Sequence, residues 1–189
     1  MKPVLLVVDV QKAFEEPSWG KRSNPKAESN MLELLKVWRE NELPIIHVQH
    51  ASQNPSSTLH PSKPGFTLKE GFEPFKDEYL IRKSVNSSFI GTDLDQYLKN
   101  NNYQTLVVVG LTANHCVSTT VRMAGNLGYR TYVCEDATAA FEMTSHDGLH
   151  LSAEDVHRHA LAALHHEFAE VVSTEDIIKV ISMKKAQTF

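Results

Sequence analysis

Three residues of this 189-residue chain have side chains suited to attacking a carbonyl carbon, and each one follows an apolar run. Asp9 closes Val4–Val8, Lys83 follows Tyr79–Ile81, and Cys116 lies shortly after Gly110, which ends Thr105–Val109. The thiolate is the reactive form of cysteine, and helix N-termini and nearby cations lower its pKa. Cys116 falls where a helix is expected to begin, beside unpaired amides, with Lys83 adding positive charge. Together these predict a depressed thiol pKa. Asp9 could accept the thiol proton and return it to a leaving amine. Backbone amides of the Leu111–Cys116 turn could hold a developing oxyanion. Taken singly, each residue has a plainer reading: a free cysteine is usually a small buried hydrophobe, Asp9 a loop carboxylate, and Lys83 a surface ion-pair partner. Cys134, inside the apolar run Thr131–Cys134, is assigned to packing.

The elements that must position these residues alternate between two kinds. Val4–Val8, Ile45–Val48, Thr105–Val109, Thr131–Cys134 and Phe168–Val172 are continuous apolar runs, as expected of strands covered on both faces, and Tyr79–Ile81 is a sixth, weaker run. Between them lie helical patterns. Asn24 and Pro25 read as a cap and first residue before an apolar face of Met31, Leu34, Leu35 and Trp38. Thr92 reads as the cap of a short helix through Leu98. Val117, Val121, Ala124 and Leu127 form a stripe stopped by Gly128. Ser152 with Asp155 resembles a capping box before Val156, Ala160, Leu161 and Leu164, and Thr174 reads as the cap of a last helix. Strand–helix alternation implies an α/β fold with parallel strands, in which ligands sit beyond the C-terminal strand ends. The segment 51–77, with four prolines and two glycines, suits no regular element and is expected to wall a pocket, on its own subunit or a neighbour's.

Composition narrows the function classes. The length suits one unit over residues 1–189, and 41% hydrophobic with 22% charged residues is ordinary for a globular chain. A net charge of −4 and the lack of a basic cluster interleaved with aromatics argue against nucleic acid or an anionic membrane as partner. Two cysteines cannot build a disulfide framework and fit a reducing compartment, and the N-terminal apolar run is too short to span a membrane, so a cytoplasmic location is expected. Ten histidines invite a metal, but their spacing is poor. His47, His50 and His60 form the one plausible group, while His157, His159, His165 and His166 read as a solvated helix face. No nucleophile elbow, Walker loop or dinucleotide fingerprint is present.

The residues resemble a known family, the isochorismatase-like cysteine hydrolases. Its D-x-Q-x-x-F reads here Asp9-Val-Gln11-Lys-Ala-Phe14. Its lysine after strand three is Lys83, followed by Asn86-Ser-Ser-Phe89, and its cysteine motif reads Gly110-Leu-Thr-Ala-Asn-His-Cys116-Val117-Ser-Thr-Thr120. Gly128-Tyr129 and Glu135-Asp136-Ala137-Thr138 are also similar. The resemblance implies a three-layer α/β/α sandwich with a six-stranded, mainly parallel, Rossmann-like sheet. It also implies a triad of Asp9, Lys83 and Cys116, and a non-proline cis peptide at Leu111-Thr112 that aims the Thr112 and Cys116 amides at the oxyanion. Gln11, Phe14, His50, Asn86, Phe89, His115 and Phe141 flank these motifs and are the candidate substrate pocket. Nicotinamidases of this superfamily bind zinc through Asp-x-His and a later His, where this chain has His47-Val-Gln49-His50-Ala-Ser52, so no metal or other cofactor is expected. True isochorismatases generally lack the cysteine, so its presence favours attack on a C–N bond of a small molecule through a thioester. The alternatives are vinyl-ether hydrolysis and a silent small-molecule-binding member of the fold. Similar proteins imply a homo-oligomer, a dimer or tetramer.

Overall fold

The computed structural model describes residues 2–186. Its strands are β1 (Val4–Val8), β2 (Ile45–His50), β3 (Tyr79–Lys83), β4 (Thr105–Leu111) and β5 (Arg130–Ala139), then a small antiparallel hairpin of β6 (Met143–Thr144) and β7 (His150–Leu151), and finally β8 (Glu170–Val172). The main sheet is six-stranded in the order β3-β2-β1-β4-β5-β8, with every neighbouring pair parallel. The helices are α1 (Ala27–Glu40), α2 (Leu94–Asn100), α3 (Ser118–Asn126), α4 (Ala153–Ala162) and α5 (Thr174–Ala186).

Successive strand side chains point to opposite faces, and both faces of this sheet are covered. From β1, Leu5 and Val7 pack with Met31, Leu34, Leu35 and Trp38 of α1 and with Ile177 and Ile181 of α5. Val4, Leu6 and Val8 pack on the other side with Leu94 and Leu98 of α2, Val121 and Ala124 of α3, and Leu161 of α4. This is the expected three-layer α/β/α sandwich, and it explains why the strands read as unbroken apolar runs. Trp38 is fully buried and donates its indole N–H to the Pro3 carbonyl at 3.1 Å. Truncating it to alanine is expected to cost about 3–5 kcal/mol.

Several local expectations are corrected. Asn24 does not cap α1. Its backbone is left-handed (φ 46°), and its amide donates to the Thr138 carbonyl at 2.7 Å, tying the entry of α1 to the end of β5. Thr174 does not cap α5: Ser173 accepts the Asp176 amide at 3.1 Å, while the Thr174 hydroxyl donates to Asp136. Leu127 is exposed rather than part of the α3 stripe. The last strand begins at Glu170, not Phe168, and β5 runs on past Cys134 to Ala139. Ser152 does cap α4, accepting from the Asp155 amide at 3.1 Å. No helix among the described residues is long and apolar enough to cross a membrane.

Sheet order places a switch between β1 and β4, because the chain builds outward from β1 through β2 and β3 and then returns to β4 on its other side. Gly110 permits the close packing of these two central strands. Its φ is 129°, and a Cβ there would lie 2.0 Å from the Val8 carbonyl oxygen.

Candidate active site at the carboxyl ends of the central strands

Adjacent strands deliver the chemistry. β3 ends in Lys83, β2 ends in His50 beside it in register, Asp9 follows β1, and the turn holding Cys116 follows β4. Asp9 has a left-handed backbone (φ 53°), tolerated by Asp more readily than by most residues, and its amide donates to the Val48 carbonyl at 2.9 Å. Cys116 is not in the first turn of α3. It lies within a wide turn, Ala113–Val117, that precedes the helix, and the Leu111-Thr112 peptide before it is cis.

Lys83 connects the group. Its Nζ donates to Asp9 Oδ2 at 2.6 Å, to His50 Nδ1 at 3.0 Å and to Cys116 Sγ at 3.2 Å. An ammonium has three hydrogens, and each has an acceptor. The Lys83 and Asp9 side chains are both fully buried, and Cys116 is 8% exposed. Asp9 Oδ1 is buried with no hydrogen-bond partner. Donor atoms of Asp9, His50 and Cys116 lie within 4.8 Å of one another, a spacing that could hold a metal ion. However, Lys83 Nζ already stands among them and supplies the positive charge there.

The expectation of an acidified thiol is overturned. Burial, and after it the Asp9 carboxylate, push the Cys116 thiol up to about 12, and Lys83 only partly offsets them. Residue type and spacing reveal the lysine and the helix, but not the desolvation that outweighs them. Burial and the Asp9 charge thus favour the protonated thiol, beside a carboxylate with one oxygen unpartnered. That pair can transfer a proton when an electrophile engages the sulfur.

The neighbouring candidates divide into those that touch this group and those that brace it. Gln11 is fully buried, and its side chain pairs with the His50 backbone, accepting from the amide at 2.8 Å and donating to the carbonyl at 3.0 Å. It also donates to the Phe66 carbonyl at 2.8 Å. Gln11 thus locks the end of β2 and the long loop to the end of β1 rather than offering free polar atoms to a ligand. That loop, irregular apart from one short turn at Pro64–Phe66, returns to the strand ends of its own chain: Lys69 donates its amide to the Val10 carbonyl at 3.0 Å. Phe14 and Phe141 lie in an aromatic group with Trp19, with ring centroids 5.1 Å (Phe14–Trp19) and 5.3 Å (Trp19–Phe141) apart. Sequence reasoning missed Trp19. Its signal was the Pro17-Ser-Trp19-Gly20 turn close behind Phe14.

His115 is exposed and its Nδ1 is 3.1 Å from the Thr112 hydroxyl. Asn86 is exposed, and half-buried Phe89 stacks on Tyr129, just before β5, at 5.8 Å and packs against the apolar cluster that includes Cys116. Ser88 between them was overlooked. Its amide donates to the Thr120 hydroxyl at 3.1 Å, joining the loop after Lys83 to the helix after Cys116. The histidines considered for metal do not converge: His47 is buried against Glu78 at 2.8 Å, and His60 turns to Ser62. The Thr112 amide donates to no acceptor among the described residues.

Similarity to known proteins decides the family. The isochorismatase domain model matches residues 3–176. The chain belongs to the isochorismatase family. An isochorismatase family protein of Bacillus subtilis, YrdC, is 49% identical over 177 residues, covering 94% of this chain and 95% of the relative. A solved isochorismatase-family structure from Chromobacterium violaceum superposes with a TM-score of 0.93 at 42% identity, covering 96% of this chain and 94% of that one. A cysteine hydrolase from Pseudomonas syringae pv. phaseolicola gives 0.88 at 27% identity, covering 96% and 93%. More distant relatives include the streptothricin hydrolase of Streptomyces noursei, 30% identical over 154 residues (79% of this chain, 60% of the relative), and an N-carbamoylsarcosine amidase of Arthrobacter, 25% identical over 152 residues (70% and 57%). The chain is an isochorismatase-family hydrolase with amidases among its relatives.

Proposed function

We propose that this hydrolase cleaves a C–N bond of a small molecule (an amide, ureido or lactam-like group) through a thioester on Cys116. The observation that carries the reading is Lys83 donating to both Asp9 and Cys116 while Asp9 Oδ1 stays free. As the substrate carbonyl meets Sγ, Asp9 takes the thiol proton and the S–C bond forms. The oxyanion is held by the amides of Thr112 and Cys116. Asp9 then protonates the leaving nitrogen as the C–N bond breaks, leaving a thioester. Water attacks that thioester with Asp9 again as base, the C–S bond breaks, Asp9 returns the proton to the sulfur, and the acid departs. Lys83 keeps Asp9 oriented and offsets the negative charge passing between oxygen and sulfur. The amidases among the relatives support a C–N bond over a vinyl ether, for which no thiol is needed.

The test is a panel of small amides and ureido compounds, with hydroxylamine as competing nucleophile. The reading expects hydroxamate to form from the acyl group, and Cys116→Ala to lower turnover by about 10⁴-fold or more. Full activity in Cys116→Ala, on these compounds or on isochorismate, would refute it.

A further inference from the structure

His50 holds a position that bracing alone does not explain. Gln11 fixes its backbone from both sides, and its Nδ1 lies 3.0 Å from Lys83 Nζ. A lysine ammonium has no lone pair, so Nδ1 must be the acceptor, and a neutral ring then carries its hydrogen on Nε2. Burial first, and the Lys83 charge second, hold the ring below its usual pKa, against the pull of Asp9. Among the described residues Nε2 has no hydrogen-bond partner, yet it is not sealed in the interior. The ring is thus a donor of fixed tautomer and fixed direction. A nitrogen of this ring lies within 4.8 Å of both the Asp9 and Cys116 donor atoms, so the imidazole borders the sulfur that would carry an acyl group.

We infer that His50 determines specificity by donating its Nε2 hydrogen to an oxygen on the acyl side of the substrate, so that preferred substrates carry a carboxylate or second carbonyl next to the scissile carbonyl. The inference rests on Cys116 being the nucleophile. It assigns Lys83 a further task, that of fixing the histidine tautomer. The same ammonium that faces the thiol thereby decides which imidazole nitrogen carries the hydrogen.

Iodoacetate and iodoacetamide test this on the full chain. Both displace iodide to form one C–S bond, and they differ in offering a carboxylate or an amide. The ratio of their rates at Cys116, read by peptide mass, should exceed the ratio on N-acetylcysteine by about tenfold. In His50→Asn the side-chain oxygen stands near Nδ1 and still accepts from Lys83, but the far donor is gone. The ratio should then fall by about tenfold, whereas His50→Gln, whose amide reaches the Nε2 position, should keep most of it. A merely structural role for His50 would slow both reagents alike and leave the ratio unmoved. Cys116 labelled with an unchanged ratio in His50→Asn overturns the assignment of His50 alone. Undiminished turnover in Cys116→Ala overturns the nucleophile as well. Nitrogen NMR of the ring gives an independent check: hydrogen on Nε2 is expected, and hydrogen on Nδ1 would contradict the inference.

Discussion

Two lysine–carboxylate groups, one half-buried and one fully buried, brace this molecule, and they differ in what is left over. In the first, Glu28 of α1 accepts from Arg22 at 2.7 and 2.5 Å and from Lys69 of the long loop at 2.7 Å. Burial by itself would raise its pKa, but the two cations overcome that and hold it at about 2. Both Glu28 oxygens are occupied, so the group can only hold the loop to α1. In the second, Lys83 and Asp9 are more deeply buried, yet Asp9 keeps an unpaired oxygen and Lys83 spends its other hydrogens on an imidazole and a thiol. A saturated ion cluster is fastening. One with a free acceptor beside a protonated nucleophile is equipped for proton transfer.

Lysine substitutions should separate the two groups most sharply. Lys83→Met is expected to lower turnover by about 10²–10³-fold and, by stranding a buried carboxylate, to cost on the order of 3–5 kcal/mol of stability. Lys69→Met leaves Glu28 with Arg22, so it should keep turnover within about twofold and cost about 1–2 kcal/mol. Steady-state kinetics alongside urea unfolding measures both, and equal kinetic losses would break the distinction.

A smaller effect concerns acid. Glu28 has a folded pKa below its ordinary 4.5, so its contribution is present above that value and is lost as pH falls toward about 2. Discounted for partial exposure, it is worth roughly 1–2 kcal/mol. The stability gap between wild type and Glu28→Gln should therefore be wider at about pH 6 than at about pH 3. A gap that stayed constant would mean the ion cluster contributes nothing through charge. Smallest is Thr120→Val, which removes the acceptor for the Ser88 amide and should cost about 1 kcal/mol by thermal unfolding.

Much of this was legible in the sequence because strands buried on both faces leave unbroken apolar runs, and Asp9, Lys83 and Cys116 stand directly beyond them. The parts that were not legible depend on partners distant in the chain. Asn24 and Thr174 have the right chemistry for caps, but Asn24 is engaged by the Thr138 carbonyl and Thr174 by Asp136. The rest of β5 was hidden because Glu135 and Asp136 interrupt its apolar pattern. Phe89 follows the lysine motif, and its stacking on Tyr129, forty residues on, leaves no mark in the local sequence. The thiol pKa was misjudged for the same reason: spacing shows which charges are near, while burial decides which of them prevails.

The central claim is that Asp9, rather than a standing thiolate, activates Cys116. Asp9→Asn tests it by separating acidity from catalysis, with circular dichroism confirming the fold. Removing the carboxylate takes away a charge that raises the thiol pKa, so titration by thiolate ultraviolet absorbance should place the Cys116 pKa below that of wild type. Turnover should nevertheless fall by about 10²–10⁴-fold, because the proton acceptor is gone. A variant with a more acidic thiol and undiminished turnover would contradict the account.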